Sequence, residues 1–242
     1  MLISFSAPLT QKQKLTADVY LLTYSLPPGQ TFIYEAGQYV ILFVPQPNAP
    51  SARRLYSIAS PPANPHSFDL LIQCVPYGVA GNYLLQSKVG DSMQFQGPAG
   101  MFTIKQTTQP IVFLATGTGI APIRSMLVNL LKEDKDQNIS LLWGLKTMED
   151  VYFLDEFIAY QKRYTNFHFH LCLSRQTDMG SIPADVRPFV FSGRITGCIS
   201  ADLLHTSSQF YVCGGKEVVE SVRAFLEEHA VVKEHIHFEK FT

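Results

Sequence analysis

Charge is scarce in this sequence: Asp, Glu, Lys and Arg make up 16% of the residues and nearly cancel, leaving a formal net charge of −1. That balance argues against a broad nucleic-acid footprint, which needs a clustered excess of Lys and Arg, and against a solvated, disordered chain. The four cysteines, Cys74, Cys172, Cys198 and Cys213, form no C-x-x-C pair. Neither a zinc ribbon nor an iron–sulfur ligand run is therefore encoded, and the four read as reduced thiols packed as small hydrophobes. No apolar run approaches the ~18 residues of a membrane helix. The start, MLISFSAPLTQKQK, has no basic segment ahead of an apolar core and does not read as a signal peptide. Internal repeats and low-complexity tracts are also missing. The expectation is a cytoplasmic protein without membrane insertion or a nucleic-acid partner. Its 46% hydrophobic share supports a real core, and its 242 residues suit one large domain or two of ordinary size.

What is present centres on Ile111–Leu131, IVFLATGTGIAPIRSMLVNLL. An apolar run (Ile111–Ala115) meets the turn Thr116-Gly117-Thr118-Gly119 and passes into a helical pattern. Ile123, Met126, Leu127, Leu130 and Leu131 keep the spacing of one helix face. Pro122 falls where a first helical turn tolerates a missing N–H. Glycines at such a corner let the backbone approach a ligand, and the helix N-terminus offers N–H groups to phosphate. The third glycine of a G-x-G-x-x-G fingerprint is replaced by Pro122, so a bare strand–turn–helix corner remains open as an alternative.

Before Gly97-Pro98-Ala99-Gly100 the pattern is short strands with turn punctuation. Ala17–Leu26, Tyr39–Val44, Arg54–Ala59, Phe68–Val75 and Ser92–Gln96 read as strands, separated by turns such as Pro27-Pro28-Gly29, Pro45–Pro50 and Gly90-Asp91. That spacing predicts a closed antiparallel barrel or sandwich, with about one helical turn at Asn82–Gln86. Two loci here carry chemistry. On Arg54-Leu55-Tyr56-Ser57, alternation puts Arg54 and Tyr56 on one strand face and Leu55 and Ser57 on the other. Arg can hold a pyrophosphate, Tyr can lie against an aromatic ring, and Ser can hydrogen-bond a ring nitrogen; an edge-strand Arg beside a half-buried Tyr is the alternative. The second locus, Pro76-Tyr77-Gly78-Val79-Ala80-Gly81-Asn82-Tyr83-Leu84, could present backbone N–H groups to a phosphate or be a plain connection.

Beyond that junction, apolar runs alternate with helical patterns: Ile111–Ala115, Ile139–Trp143 before Asp150–Gln161, then Phe167–Leu173, and Phe210–Cys213 before Glu217–Glu228. Alternation of this kind predicts a doubly wound parallel sheet, with ligands beyond the carboxyl ends of its strands. Those ends are Thr116–Gly119, Gly144-Leu145-Lys146, Ser174-Arg175 and Cys213-Gly214-Gly215. Lys146, Ser174, Arg175 and Arg194 would bring charge and hydroxyl donors that suit phosphate, unless they are simply solvated. His168 and His170 share a strand face, and without a third ligand they read as paired polar positions rather than a metal site. The expected organisation is two domains: residues 1–102, an antiparallel β-barrel, and residues 103–242, an α/β doubly wound parallel sheet.

Taken in order, these stretches resemble the ferredoxin–NADP reductase superfamily of flavoproteins. Arg54-Leu55-Tyr56-Ser57 is similar to its R-x-Y-S flavin motif, Gly78–Gly81 to its G-x-x-S pyrophosphate turn, and Gly97–Phe102 to its G-P-x-G-x-F junction. Thr116–Pro122 resembles the T-G-T-G-I-A-P loop, Tyr211–Gly214 the late C-G motif, and His237–Phe241 the E-x-F ending. The resemblance implies FAD on the barrel and NADPH or NADH on the α/β domain. A hydride would pass to flavin N5, and single electrons would go on to a separate acceptor: a ferredoxin, a flavodoxin or an oxygenase component. It also implies Arg54 on the FAD pyrophosphate, Tyr56 against the isoalloxazine, Ser57 near N5, Cys213 near nicotinamide C4, Glu239 ordering the nicotinamide or relaying a proton, and Phe241 covering the flavin. Ser57, Cys213 and Glu239 are thus the expected catalytic residues. The expected cofactor-binding set also takes in Leu55, Val79, Ala80, Asn82 and Gly214. The pattern is departed from at Gly81 (a Ser or Thr hydroxyl is usual), at Lys146 (often Arg) and at Thr242, which follows Phe241. The alternatives are a flavin-bearing electron-transfer subunit of a larger complex and a non-catalytic dinucleotide-binding module.

Overall fold

The computed structural model describes residues 2–75, 78–133, 136–204 and 207–241; Pro76 and Tyr77 of the second locus, and Thr242, lie outside them. The chain divides into two compact units, residues 1–104 with 124–133, and residues 105–123 with 134–242.

The first unit contains β1 (Ile3–Lys14), β2 (Val19–Ser25), β3 (Tyr39–Gln46), β4 (Ala49–Ser57), β5 (Ser67–Gln73), α1 (Val79–Gln86) and β6 (Ser92–Ala99). The strands form one antiparallel sheet in the order β4-β3-β6-β1-β2-β5. Just past β4, a bridge between Ile58 and Leu70 and the Ala59 N–H on the Asp69 carbonyl at 2.8 Å join the two edge strands, curling the sheet into a barrel. Alternate residues fill it: Phe5, Ala7 and Leu9; Leu22 and Tyr24; Val40, Leu42 and Val44; Phe68, Leu70 and Ile72; Met93 and Phe95. Phe5 stacks near Phe95 at 5.6 Å and Tyr24 meets Phe95 edge-on at 4.9 Å, geometries that aromatic quadrupoles favour.

No strand is expected before Ala17, yet β1, with 12 residues, precedes it. Its outward positions are Ser, Pro, Thr and Gln, which mask a strand whose inward positions are Phe5, Ala7 and Leu9. A bulge between Leu9 and Gln11 then shifts the register, so that Leu9 faces Tyr24 while Lys12 faces Leu22. Lys12 therefore lies on the inner face, where strict alternation would put it outside. The Pro45–Pro50 loop shrinks to a tight connection, because Asn48 adopts a left-handed conformation (φ 58°) and β4 begins at Ala49. The helical turn expected at Asn82 starts earlier, at Val79, with Gly78 as its N-cap.

The second unit contains β7 (Ile111–Thr116), the start of α2 (Ile120–Lys132), β8 (Ile139–Leu145), α3 (Leu154–Arg163), β9 (Phe167–Leu173), β10 (Val190–Ser192), β11 (Gln209–Gly215), α4 (Lys216–Glu228) and β12 (Ile236–Phe241). The sheet is parallel, in the order β10-β9-β8-β7-β11-β12. It winds outward from β7 through β10 and returns on the other side, so its switch point lies between β7 and β11. Both faces are covered. On one, Trp143, Phe169 and Phe157 of α3 pack edge-on or tilted at 5.2–5.9 Å. On the other, Val112, Leu114, Leu142, Phe210 and Val212 meet Val219, Val222 and Leu226 of α4. Ile123, Met126, Leu127, Leu130 and Leu131 of α2 are all buried. No helix of the described residues is long and apolar enough to cross a membrane.

Candidate active site

In the second unit the switch point is built from glycines. Gly117–Gly119 form a single 3-10 turn leading into α2, with neither a side-chain cap nor an acidic residue in the first turn. Gly117 has φ +53° and open space where a Cβ would sit; a Cβ on Gly119 would overlap the Cys213 carbonyl and reach 2.8 Å from Gly214 Cα. One on Gly214 would overlap the Thr116 hydroxyl. Only glycine lets these two backbones touch. Thr116, Gly117, Thr118, Gly119 and Pro122 are thereby gathered with Cys213 and Gly214 around an uncapped helix N-terminus, a natural anion site.

Register completes this end. Cys213 pairs with Ala115 on one side and Glu239 on the other, and Gly215 pairs with Phe241. Cys213, Glu239 and Phe241 consequently share the sheet face that carries Trp143. Burial pushes the Cys213 thiol well above its ordinary range, and the neighbouring Glu239 carboxylate pushes in the same direction. The thiol is held neutral, able to donate a hydrogen bond but not to act as a thiolate.

The cationic residues gather at the other end. Arg175 N–H donates to the Lys146 carbonyl at 2.8 Å, Ser174 N–H to Leu145 O at 3.0 Å, and Gly193 N–H to Leu173 O at 2.9 Å. Lys146, Ser174, Arg175 and Arg194 thus follow the carboxyl ends of β8, β9 and β10. At ~4.8 Å per strand, β9 stands roughly 14 Å from β11, so the two groups lie at distinct places along the carboxyl edge of one sheet. His170, by contrast, stacks on Phe191 at 4.8 Å, and no group of three potential metal ligands occurs among the described residues.

In the first unit, Arg54 faces Leu42 and Tyr56 faces Val40. Tyr56 packs against the barrel core, and burial pushes its hydroxyl up to about 12. Leu55 is exposed and Ser57 buried. The Arg54 guanidinium lies at the surface and donates to the Arg53 carbonyl at 2.9 Å. Gly78, Val79, Ala80, Gly81 and Asn82 open α1, which has no side-chain N-cap bond. Asn82 is the first donor into the helical ladder, at 2.9 Å from Gly78 O, so Val79, Ala80 and Gly81 have the leading N–H groups that intrahelical bonding leaves over. The Gly81 departure has a packing cause: a Cβ there would press on Cys74 Cα at 3.3 Å.

Several contributors are not in the sequence-based set. Trp143 donates its Nε1–H to the Gly117 carbonyl at 3.1 Å, bracing the left-handed residue from below. Thr147 and Asp150 form a capping box after β8, legible in sequence as T-x-x-D. Gln176 accepts from Met148 N–H at 3.1 Å and donates to Asp178 O at 3.0 Å, tying the loop after β9 to the loop after β8.

These residues fit two nucleotide cofactors. Each unit has an uncapped helix N-terminus approached by glycine, where phosphate is stabilised by N–H groups and the helix dipole. The sequence matches the oxidoreductase FAD-binding domain over residues 6–104 and the oxidoreductase NAD-binding domain over residues 113–224. It is 31% identical over 244 residues to ferredoxin–NADP reductase B of Sorangium cellulosum, covering 98% of this chain and 97% of that one. It is 29% identical over 240 residues to terephthalate 1,2-dioxygenase reductase component 1 of a Comamonas species, covering 98% of this chain and 68% of the relative. The chain thus spans about two thirds of the length of the oxygenase reductase components it matches. The solved Amycolatopsis cytochrome P450 reductase GcoB superposes with a TM-score of 0.88 at 26% identity, over 100% of this chain and 70% of that one.

Proposed function

The chain belongs to the ferredoxin–NADP reductase superfamily, as an FAD-containing NAD(P)H reductase, and from that premise we propose that it passes electrons singly to a separate protein acceptor. The acceptor is of the ferredoxin, flavodoxin or oxygenase-component class. Relatives named as reductase components of a dioxygenase and a monooxygenase support that class. The observation that carries the donor side of the reading is the switch point, where Gly119 touches Cys213–Gly214 and the buried thiol stands beside Glu239; the acceptor side rests on the relatives.

When bound, the flavin supplies the conversion of a two-electron donor into single-electron transfers. The residues of the chain bind and orient. In this reading Thr116–Gly119 and Gly214 hold the coenzyme pyrophosphate through backbone N–H groups, and Pro122, which has no N–H to give, lines the first turn of α2 behind them. Cys213 donates its thiol proton toward the nicotinamide, and Glu239 fixes the carboxamide or relays a proton. Arg54 swings from the Arg53 carbonyl to the FAD pyrophosphate, joining the N–H groups of residues 79–81. Tyr56 lies along the isoalloxazine, Ser57 bonds near N5, and Phe241 shields the ring. Lys146, Ser174, Arg175 and Arg194 receive the adenosine end, and three cations there favour the 2′-phosphate of NADPH.

The test is NADPH oxidation coupled to added ferredoxin, flavodoxin or an oxygenase component, each assayed separately. Turnover that depends on one of these proteins is expected. Turnover with small-molecule acceptors alone would overturn the protein-acceptor reading, and equal kcat/KM for NADH and NADPH would overturn the coenzyme preference.

A further inference from the structure

The bulge in β1 turns Lys12, a charged residue, onto the inner face of the barrel. There its ammonium spends all three donors on one helix end, bonding Leu84 O at 2.8 Å, Leu85 O at 2.8 Å and Ser87 O at 3.0 Å. The Lys12 ammonium lies 5.8 Å from the Tyr20 ring centroid. The helix it holds is α1, which has no basic residue of its own in its last turn. Lys12 thus supplies from another strand the cation that a helix C-terminus favours, 72 to 75 residues away in sequence.

We propose that Lys12 is a positioning residue of the flavin site: it anchors the carboxyl end of α1 to β1 so that the opposite end presents the N–H groups of Val79, Ala80 and Gly81 to the FAD pyrophosphate. The inference rests on the reading of this unit as the FAD site. Three features support it. First, α1 has 8 residues and is ~12 Å long, so a small tilt at one end moves the other by a comparable amount. A helix this short is also marginal without tertiary anchors. Second, its N-terminal half is fitted against the strand end, with Gly81 in close approach to Cys74 and the Cys74 thiol reaching the Gly81 carbonyl at 3.8 Å. The helix is therefore held at both ends and has one seat. Third, a cation at the carboxyl end offsets the negative pole of the helix dipole and raises the potential at the amino end, where the anion binds. The Lys12 charge favours the thiolate of Cys74, the residue packed against Gly81, although burial outweighs it and raises the thiol overall.

The experiment is a fluorescence-quenching titration of apoprotein with FAD and, separately, with riboflavin, which has no phosphate. Wild type, Lys12→Met and Lys12→Arg are compared, with thermal melts run alongside. Lys12→Met is expected to weaken FAD binding about tenfold or more, because charge-assisted hydrogen bonds are lost. Riboflavin affinity should change less than about twofold, since only the phosphate contact is disturbed, and Lys12→Arg should restore most of the FAD affinity. Should Lys12→Met fail to fold, Lys12→Gln, which keeps two N–H donors for the carbonyls but not the charge, takes its place with the same expectation. Unchanged FAD affinity in the variant, or equal losses for FAD and riboflavin, would overturn the positioning role while leaving the FAD reading intact. A wild-type protein that binds no FAD would overturn both.

Discussion

In the first unit the helix assigned to phosphate, α1, has 8 residues and hangs from the barrel by a lysine at one end and a glycine at the other. The other such helix, α2, has 13 residues; it starts in the second unit, where the turn leading into it is wedged directly against a neighbouring strand. The short helix needs tethers from strands distant in sequence. The long one inherits its position from β7, the strand that runs into it. One consequence is tolerance. The barrel site can be adjusted through side chains such as Lys12, whereas the switch point is backbone on backbone and has no side chain to yield.

Gly119→Ala breaks the comparison most sharply. Its Cβ has no room beside the Cys213 carbonyl, and overpacking of ~1–3 kcal/mol should lower NAD(P)H-dependent flavin reduction by up to about 100-fold. FAD affinity, set in the other unit, should hold; stopped-flow reduction and FAD titration on the same variant read both. Cys213→Ala comes next. It removes a neutral donor at the reacting end and should slow flavin reduction about tenfold through lost orientation, with coenzyme affinity nearly intact. A wild-type reduction rate would remove Cys213 from the catalytic set. Trp143→Phe removes the bond to Gly117 and should weaken coenzyme binding roughly fivefold, since one hydrogen bond contributes ~1 kcal/mol.

The smallest effects concern stability. In the barrel, Gly81→Ser should lower the unfolding free energy by about 1 kcal/mol through pressure on Cys74, measurable as a fall in Tm. In the second unit, burial lowers the pKa of His170 and of His237 below their ordinary value of 6.5. Above that value both states are neutral and nothing is lost. As the pH falls below it, the unfolded chain takes up protons that the folded unit refuses, so stability declines with acid. Hydrogen exchange at mildly acidic pH should show amides of the second unit losing protection, and His170→Leu should flatten that dependence.

The two units also differed in how plainly the sequence announced them. Buried on both faces, β7 and β8 read as near-continuous apolar runs, and their expected bounds differ from the observed ones by no more than two residues; β9 keeps its expected bounds, Phe167–Leu173, although His168 is exposed. The glycine corner stood out for the same reason: it interrupts an apolar run and is followed at once by helical spacing. The barrel strands have one polar face each, and β1 is masked because Ser4, Ser6, Pro8 and Thr10 alternate with its buried positions. The bulge that turns Lys12 inward has no local signature, since Gln11 and Lys12 would suit a solvated strand end equally well. Neither was the pairing of Cys213 with Glu239 visible; it depends on the register of β11 and β12, which pattern alone does not fix. Gly81 was visible as a departure, but its cause, the backbone of Cys74, required the packed structure.

The central claim, a flavin served by a nicotinamide coenzyme, is tested most directly by the visible spectrum of the purified protein before and after anaerobic addition of NADPH. Flavin bands that bleach on addition are expected. A colourless protein that FAD cannot reconstitute would contradict the claim.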